Sequence, residues 1–292
     1  MFTKQTKVWL ILTIALSLLT LASACSKSET PETDTSSAPT KASKTYSGDV
    51  GSIAGSIAYN GAAPAPKKID SSADPACGSK NPNLTTEDNV VKDGKLANTF
   101  VYIKDGAATD GTKISEYTWT APSNPITLDQ VGCQYKPHVM GAMVNQVITI
   151  TNSDPTTHNI HFTPKNNPDW NQSQPNGAPP MTHKLARTEV LVPVKCNQHP
   201  WMKSYIGVLK HPFFAVSGDD GSFTIKGVPP GTYTVAAWKE GGATGTEKTM
   251  QVTVAANGSA KADFAFGEAA TAAGAPGLQM MPAIEFPMLG KH

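Results

Sequence analysis

The chain has 292 residues, a formal net charge of +1 and only 16% charged side chains. A chain this close to neutral lacks the basic surface that nucleic-acid binding needs, and its length allows one to three domains. The 24 glycines and 23 prolines favour turn-rich β structure over helix bundles.

The first 24 residues have the pattern of an export signal. A basic start precedes the apolar run 8–21, which is too short to span a membrane comfortably, and small residues precede Cys25. This resembles a bacterial lipoprotein signal, which implies cleavage before Cys25 and a lipid on its thiol. An ordinary signal peptide cut near Ala24 is the alternative. The lipid would anchor the protein in the cell envelope, on a periplasmic or outer surface.

The polar segment 25–49 predicts a flexible tether, because it lacks the apolar side chains that a core requires. Beyond it, alternating apolar and polar residues predict an all-β chain of sandwiches with Greek-key connections. Prolines and asparagines predict a long loop over 164–183, and the aperiodic segment 269–292 predicts an irregular tail. The predicted strands cover residues 52–59, 100–104, 144–152, 158–163, 188–195, 204–209, 222–226, 231–238, 249–254 and 262–266.

The segment 196–202, Cys-Asn-Gln-His-Pro-Trp-Met, places a thiol, an imidazole and a thioether on seven consecutive residues. A blue-copper site needs one Cys, two His and a weak axial Met. His158, which opens a predicted strand, is the candidate for the second imidazole. His161 alternates to the opposite face of that strand and is expected to be structural. The predicted ligands of one type 1 copper ion are therefore His158, Cys196, His199 and Met202.

Residues 149–162, which contain His-Asn-Ile-His-Phe, resemble the cupredoxins of the amicyanin and plastocyanin type when taken together with the 196–202 loop. That family has the same short ligand loop and an upstream His-Asn-Val-His-Phe. The resemblance implies a cupredoxin Greek-key sandwich, assigned to 109–212, and the same copper ligands. It also implies that the Asn152 side chain hydrogen-bonds the ligand loop near Asn197.

The two remaining cysteines are Cys77 and Cys133. Export implies an oxidising compartment, in which unpaired thiols are unusual, so these two residues are the candidates for a disulfide. Two unrelated buried thiols are the alternative.

A second resemblance comes from residues flanking this region. Residues 51–61 and the Asp-Gly-x-Phe to Pro-Pro-Gly-x-Tyr hairpin over 220–235 resemble the carboxypeptidase regulatory-like, or transthyretin-like, sandwich. Our hypothesis is a discontinuous module made of 51–108 and 213–268, into which the cupredoxin is inserted. In the alternative, two domains follow one another and 51–60 belongs to the cupredoxin.

Four protein ligands leave no open position for a substrate, which favours electron transfer over catalysis, so we expect no enzyme. We expect His199 to be the electron exit edge and Trp201 to be a candidate contact for a partner. The cupredoxin likeness implies a dehydrogenase, cytochrome or oxidase as the redox partner. One alternative is a copper-binding or delivery lipoprotein, which His138, Met140 and Met143 leave open. The other is a structural lipoprotein whose flanking sandwich binds a partner.

Overall fold

The computed structural model describes residues 44–241 and 245–268. This part of the chain is almost entirely β-strand, which confirms the all-β prediction; its one α-helix is α1, Pro75–Lys80, and a single 3₁₀ turn covers Ile114–Glu116. The strands are β1 Gly51–Asn60, β2 Val91–Lys92, β3 Lys95–Leu96, β4 Phe100–Ala108, β5 Ile126–Gln130, β6 Tyr135–Lys136, β7 Val139–Met143, β8 Ile148–Asn152, β9 His158–Phe162, β10 Trp170–Gln174, β11 Met181–His183, β12 Glu189–Lys195, β13 Lys203–Leu209, β14 Phe214–Val216, β15 Ser222–Val228, β16 Gly231–Lys239, β17 Thr246–Val254, β18 Ser259–Lys261 and β19 Phe264–Gly267.

Three predictions fall outside the described residues: the signal over 1–24, the lipid on Cys25 and the tail over 269–292. Among the helices of the described chain, none has the length and apolar character needed to cross a membrane.

The middle of the chain forms what we call the central sandwich. One sheet has the strand order β10-β9-β12-β13-β7 and the other β11-β8-β5-β6. Most neighbours are antiparallel, but β13 runs parallel to β7 and β5 runs parallel to β8. Inward side chains of both sheets form one buried cluster, because successive residues of a strand face opposite sides. Its members include Leu128, Ile150, Ile160, Val194 and Ile206.

The remaining strands form the flanking sandwich. In one sheet β1 lies between β15 and β3, and it also pairs in parallel with β18 and β19; the other sheet has the order β14-β4-β16-β17. Along β1, Ile53 and Ile57 are buried in the core while Ala54 and Ser56 are less buried. Each sheet therefore combines strands that precede the central sandwich with strands that follow it.

The two sandwiches contact each other through an apolar cluster centred on Phe100 of β4. A Cβ atom added to Gly207 of β13 would lie 2.2 Å from this ring, and one added to Gly141 of β7 would lie 2.9 Å from it. The glycines let the ring approach the backbone of the central sandwich closely. The other buried members of this interface cluster are Tyr102, Val139, Leu191, Leu209, Ala236 and Trp238.

Packing differs from the predicted boundaries in three places. Tyr46, in the segment predicted as tether, packs edge-on against Tyr117. Tyr117 and Ile114 belong to the core of the flanking sandwich, although the sequence placed them in the cupredoxin. Conversely, Cys77 belongs to the core of the central sandwich. The domain boundaries themselves remain a prediction.

Local backbone features explain where the predicted elements were inaccurate. The strand predicted over 144–152 begins only at Ile148, because Asn145 adopts a left-handed φ of 65° and the Gln146 amide closes a turn onto Met143. The loop predicted over 164–183 contains β10 and β11. Proline lacks the amide hydrogen that strand pairing needs, so Pro193 predicts an edge strand or a bulge. Its strand β12 lies between β9 and β13 and is not an edge, but its pairing is irregular between Glu189 and Val192.

Candidate metal centre

Three of the predicted copper ligands meet at one end of the central sandwich. His158 is the first residue of β9, and Cys196 directly follows β12. These strands are neighbours, with Lys195 paired to His161, so the two ligand positions are adjacent. His199 lies in the turn between β12 and β13, which is closed by the Met202 amide donating to the His199 carbonyl at 2.9 Å.

The donor atoms of these residues converge in a buried space. Nδ1 of His158 lies 2.8 Å from Nδ1 of His199, and Sγ of Cys196 lies 3.7 Å from the same His199 atom. All three donor atoms lie within 4.8 Å of one another. Relative exposures of 0%, 2% and 5% for His158, Cys196 and His199 show that solvent is almost excluded.

A carboxylate lies at the outer nitrogen of each imidazole. Asp154 Oδ2 is 3.0 Å from Nε2 of His158, and Asp74 Oδ2 is 3.1 Å from Nε2 of His199. Burial raises the pKa of the Asp154 carboxyl, but hydrogen bonds from His158 and the backbone amides of Cys133 and Gly132 outweigh burial and hold that pKa below its usual value. For Asp74, burial is likewise outweighed by its hydrogen bonds, and its pKa is lowered.

These ionised carboxylates determine which imidazole nitrogen carries hydrogen. A carboxylate only accepts, so each Nε2 carries a hydrogen and each Nδ1 faces the site. Two Nδ1 lone pairs 2.8 Å apart would repel each other, so either a proton or a metal cation must lie between them. The surroundings favour such a positive charge, since Asp154 and Cys196 outweigh burial and raise the pKa of His158 to about 9, so without a metal His158 also carries hydrogen on Nδ1 at neutral pH. The donor set therefore fits a cation.

Cys196 is suited to bind that cation as a thiolate. Burial raises the pKa of the thiol, but hydrogen bonds from His158 and from the backbone amides of Asn159, His199 and Gln198 outweigh burial and lower it to about 6. The thiolate is thus the favoured form at neutral pH. One thiolate with two imidazoles is the ligand set that copper shares with zinc.

The other two predicted residues of the loop occupy different surroundings. Met202 is fully buried in the same core cluster as Cys196, and its axial ligation remains a prediction. Trp201 is partly exposed; its Nε1 donates to the Cys133 carbonyl at 3.0 Å and its ring lies 5.1 Å from the His199 ring. Its contact with a partner is also still a prediction.

The structure corrects the residue that connects the two ligand-bearing segments. Asn152 was predicted to hydrogen-bond the ligand loop. Instead, its Nδ2 donates to the carbonyls of Thr156 and Gln174, which lie outside that loop. The connection is made by Asn159, whose Oδ1 accepts from the Asn197 amide at 2.6 Å. The prediction failed because Asn152 ends β8 and its side chain bonds the turn that follows, accepting from the Asp154 amide and donating to the Thr156 carbonyl.

Replacing Asn159 with alanine is expected to weaken copper binding by about 10-fold, because the Asn197 amide loses its acceptor and the ligand turn loosens. Competition with a chelator measures the dissociation constant. Asn152→Ala is the matched comparison and should have the smaller effect. A larger effect for Asn152→Ala would restore the sequence-based assignment.

The other histidines of the described residues do not face this site. His161 points outward, with Nδ1 at 3.0 Å from Asn197 Oδ1 and Nε2 at 3.0 Å from Asp169, as the strand alternation predicts. His138 is buried against Glu240, with Nε2 2.7 Å from the carboxylate. His183 stacks on Trp170, and burial lowers its pKa. Burial also lowers the pKa of His211, to about 4.

The expectation that His199 forms an exposed exit edge is wrong. Asp74 is the N-cap of α1, and its carboxylate covers the outer nitrogen of the ring. A disulfide joins Cys77 of α1 to Cys133, the pair predicted from the sequence, with the Cα atoms 5.6 Å apart. Sequence reasoning missed Asp74 and Asp154. The pair Asp74-Pro75 is a helix-start signal, but it does not indicate what the helix covers.

Among protein families, the model of polysaccharide lyase family 4, domain II, matches residues 207–262, which lie mostly in the flanking sandwich. This differs from the regulatory-like family that the motifs over 51–61 and 220–235 resemble, and the match is too short to assign the chain to a family. No curated protein sequence matches the chain.

Solved structures similar to the chain include copper proteins. A purple cupredoxin from Nitrosopumilus maritimus is 20% identical over 28% of this chain and 98% of its own, with a TM-score of 0.25. A Cu(I) amicyanin mutant is 15% identical over 37% of this chain and 97% of its own, with a TM-score of 0.26. A copper-containing nitrite reductase from Thermus scotoductus is 19% identical over 29% of this chain and 22% of its own, with a TM-score of 0.27. The chain therefore spans less than a quarter of that enzyme.

These scores are too low to identify a particular relative. The class that the β-sheet order and the ligand end of the central sandwich define is a cupredoxin-like β fold.

Proposed function

We propose that this protein carries single electrons through one type 1 copper ion, which His158, Cys196, His199 and Met202 would hold. The observation that carries the proposal is the convergence of two Nδ1 atoms and one sulfur within 4.8 Å in a buried space. When bound, copper supplies one-electron cycling between its cuprous and cupric forms.

The residues around the ligands serve this role by holding geometry and excluding water. Cys196 supplies a thiolate, and the Asn159–Asn197 bond fixes the turn that bears it. A rigid, buried site changes little when its charge changes, which suits electron transfer. A substrate has no access to the buried donors, so we propose no catalytic activity.

The alternative of copper delivery is less well supported. A delivery site needs donors that another protein can reach, whereas His158, Cys196 and His199 are buried. His138, one of the residues that left this alternative open, is held by Glu240.

The cellular setting is part of the same proposal. The sequence pattern before residue 44 supports export and a lipid anchor on Cys25 in a bacterial envelope. The partner would be another redox protein. It would contact Trp201, which lies in the ligand turn and is partly exposed.

A copper titration followed by absorption spectroscopy and a redox titration tests this function. The protein should bind one copper ion, develop an intense thiolate-to-Cu(II) absorption band and cycle reversibly by one electron. A colourless protein that binds only cuprous ion would instead support delivery. Failure to bind copper in either oxidation state would reject both functions.

A further inference from the structure

The two histidines of the metal centre are held from outside in the same way. Each directs Nδ1 into the site, and each has its Nε2 against a carboxylate, at 3.0 Å for Asp154 and 3.1 Å for Asp74. Asp74 lies outside the motifs that identify the ligands, and Asp154 lies within the segment 149–162 but was not predicted to have a role. Asp154 has a side-chain exposure of 0%, and that of Asp74 is 22%.

Asp154 is fixed by the backbone. Its Oδ1 accepts from the Gly132 amide and its Oδ2 from the Cys133 amide, both at 2.7 Å. The carboxylate that contacts His158 is therefore immobilised by the turn between β5 and β6.

Asp74 is fixed in a comparable way by α1 and the turn before β9. Its Oδ1 accepts from the Ala76 amide at 2.8 Å and the Cys77 amide at 3.3 Å. Its Oδ2, the atom that contacts His199, also accepts from the Thr156 hydroxyl at 2.8 Å. Asp74 thus connects α1, the Thr156 turn and the ligand turn.

The disulfide joins these two supports covalently. The amide of Cys77 donates to Asp74, and the amide of Cys133 donates to Asp154. Sγ of Cys77 lies within 4.8 Å of an oxygen of Asp74 and a nitrogen of His199. Sγ of Cys133 lies within 4.8 Å of an oxygen of Asp154 and a nitrogen of His158. The bond therefore lies against the outer side of both imidazoles.

We propose that Asp74 and Asp154 are positioning residues for the copper ligands and that the Cys77–Cys133 disulfide unites them into one brace. Each carboxylate keeps a hydrogen on Nε2 of its histidine and fixes the ring plane, so that both Nδ1 atoms face the site beside Cys196. This inference rests on the proposed function for the metal, but the orientation of the rings is a property of the protein itself. Carboxylates placed behind metal-binding histidines raise ligand basicity, and losing one typically costs 10- to 100-fold in metal affinity.

Asp74 offers the clearest test, because it is partly exposed and lies outside β9 and β12. Asp74→Ala should speed transfer of copper to a chelator by about 10-fold or more, and Asp74→Asn should lie between it and wild type, since an amide oxygen still accepts from Nε2. Asp169→Ala is the matched control: Asp169 contacts His161, which faces away from the site. It should release copper at the wild-type rate.

A second readout needs no metal. Nitrogen NMR of the metal-free protein should show hydrogen on Nε2 of both His158 and His199 in wild type. In Asp74→Ala, the Nε2 hydrogen of His199 loses its acceptor and should exchange faster with solvent, while the Nε2 hydrogen of His158 should keep its wild-type exchange rate. If the exchange of both Nε2 hydrogens and the copper release rate stay at wild-type values in Asp74→Ala, the inference is overturned.

The double variant Cys77→Ala/Cys133→Ala tests the disulfide. It should accelerate copper release at least as much as Asp74→Ala, because both supports loosen together. Wild-type release from this variant would remove the disulfide from the brace. If the wild-type protein bound no copper, the proposed function would fail, while the NMR measurement would still decide whether the carboxylates position the rings.

Discussion

Replacing Cys196 with serine is expected to abolish the thiolate-to-Cu(II) absorption band completely. Cys196 is the sole cysteine without a disulfide among the described residues, and it is buried beside both imidazoles. A hydroxyl does not ionise near neutral pH and is a hard ligand, so it cannot replace a thiolate that binds copper strongly. Absorption spectroscopy after addition of one equivalent of Cu(II) measures the result.

The control for this substitution is His161→Ala. His161 lies on the same strand as His158 but faces Asn197 and Asp169. Its loss should leave the band in place. Persistence of the band in Cys196→Ser, or its disappearance in His161→Ala, would overturn the ligand assignment.

Replacing Phe100 with alanine is expected to lower the free energy of unfolding by about 3–5 kcal/mol. The ring is fully buried at the contact between the two sandwiches, against the backbone at Gly141 and Gly207 and beside the Phe214 ring. Its removal leaves a cavity, because Gly141 and Gly207 have no side chains that could occupy the space. Urea unfolding of the metal-free protein, followed by tryptophan fluorescence, gives the difference.

Val190→Ala provides a surface comparison for Phe100→Ala. Val190 is 37% exposed, so its truncation should change stability by no more than about 0.5 kcal/mol. A loss below about 1 kcal/mol for Phe100→Ala would mean that the interface cluster does not hold the sandwiches together.

The sequence was sufficient to predict the ligands but not what holds them. His158 opens a strand, and Cys196 and His199 share one turn, so strand alternation and short-range spacing identify them. Asp74 reaches the site through tertiary packing of α1, and no local pattern records that contact. Likewise, Asn152 and Asn159 lie on the same segment, and only the folded turn shows which one faces the loop.

The predicted strands were also identified from local patterns in the sequence. All ten predicted strands exist, because alternation of apolar residues is a local signal. The other nine strands of the described chain were not predicted. Two of them, β10 and β11, carry polar residues such as Asn171, Gln172 and Ser173, whose side chains do not alternate with apolar ones. They form because β9 and β8 offer unpaired edges, which is a property of the assembled sheet.

The pairing of β1 has a consequence for how the chain acquires its structure. Ile53 pairs with Ile225, and Ile57 pairs with Phe264, so the first strand of the flanking sandwich finds its partners only near the end of the described chain. Such distant pairings carry a large loop-closure entropy and make folding slow. During synthesis from the N-terminus, the central sandwich has all its strands before β1 has any of these partners. We therefore expect the central sandwich to assemble first and the flanking sandwich to close last.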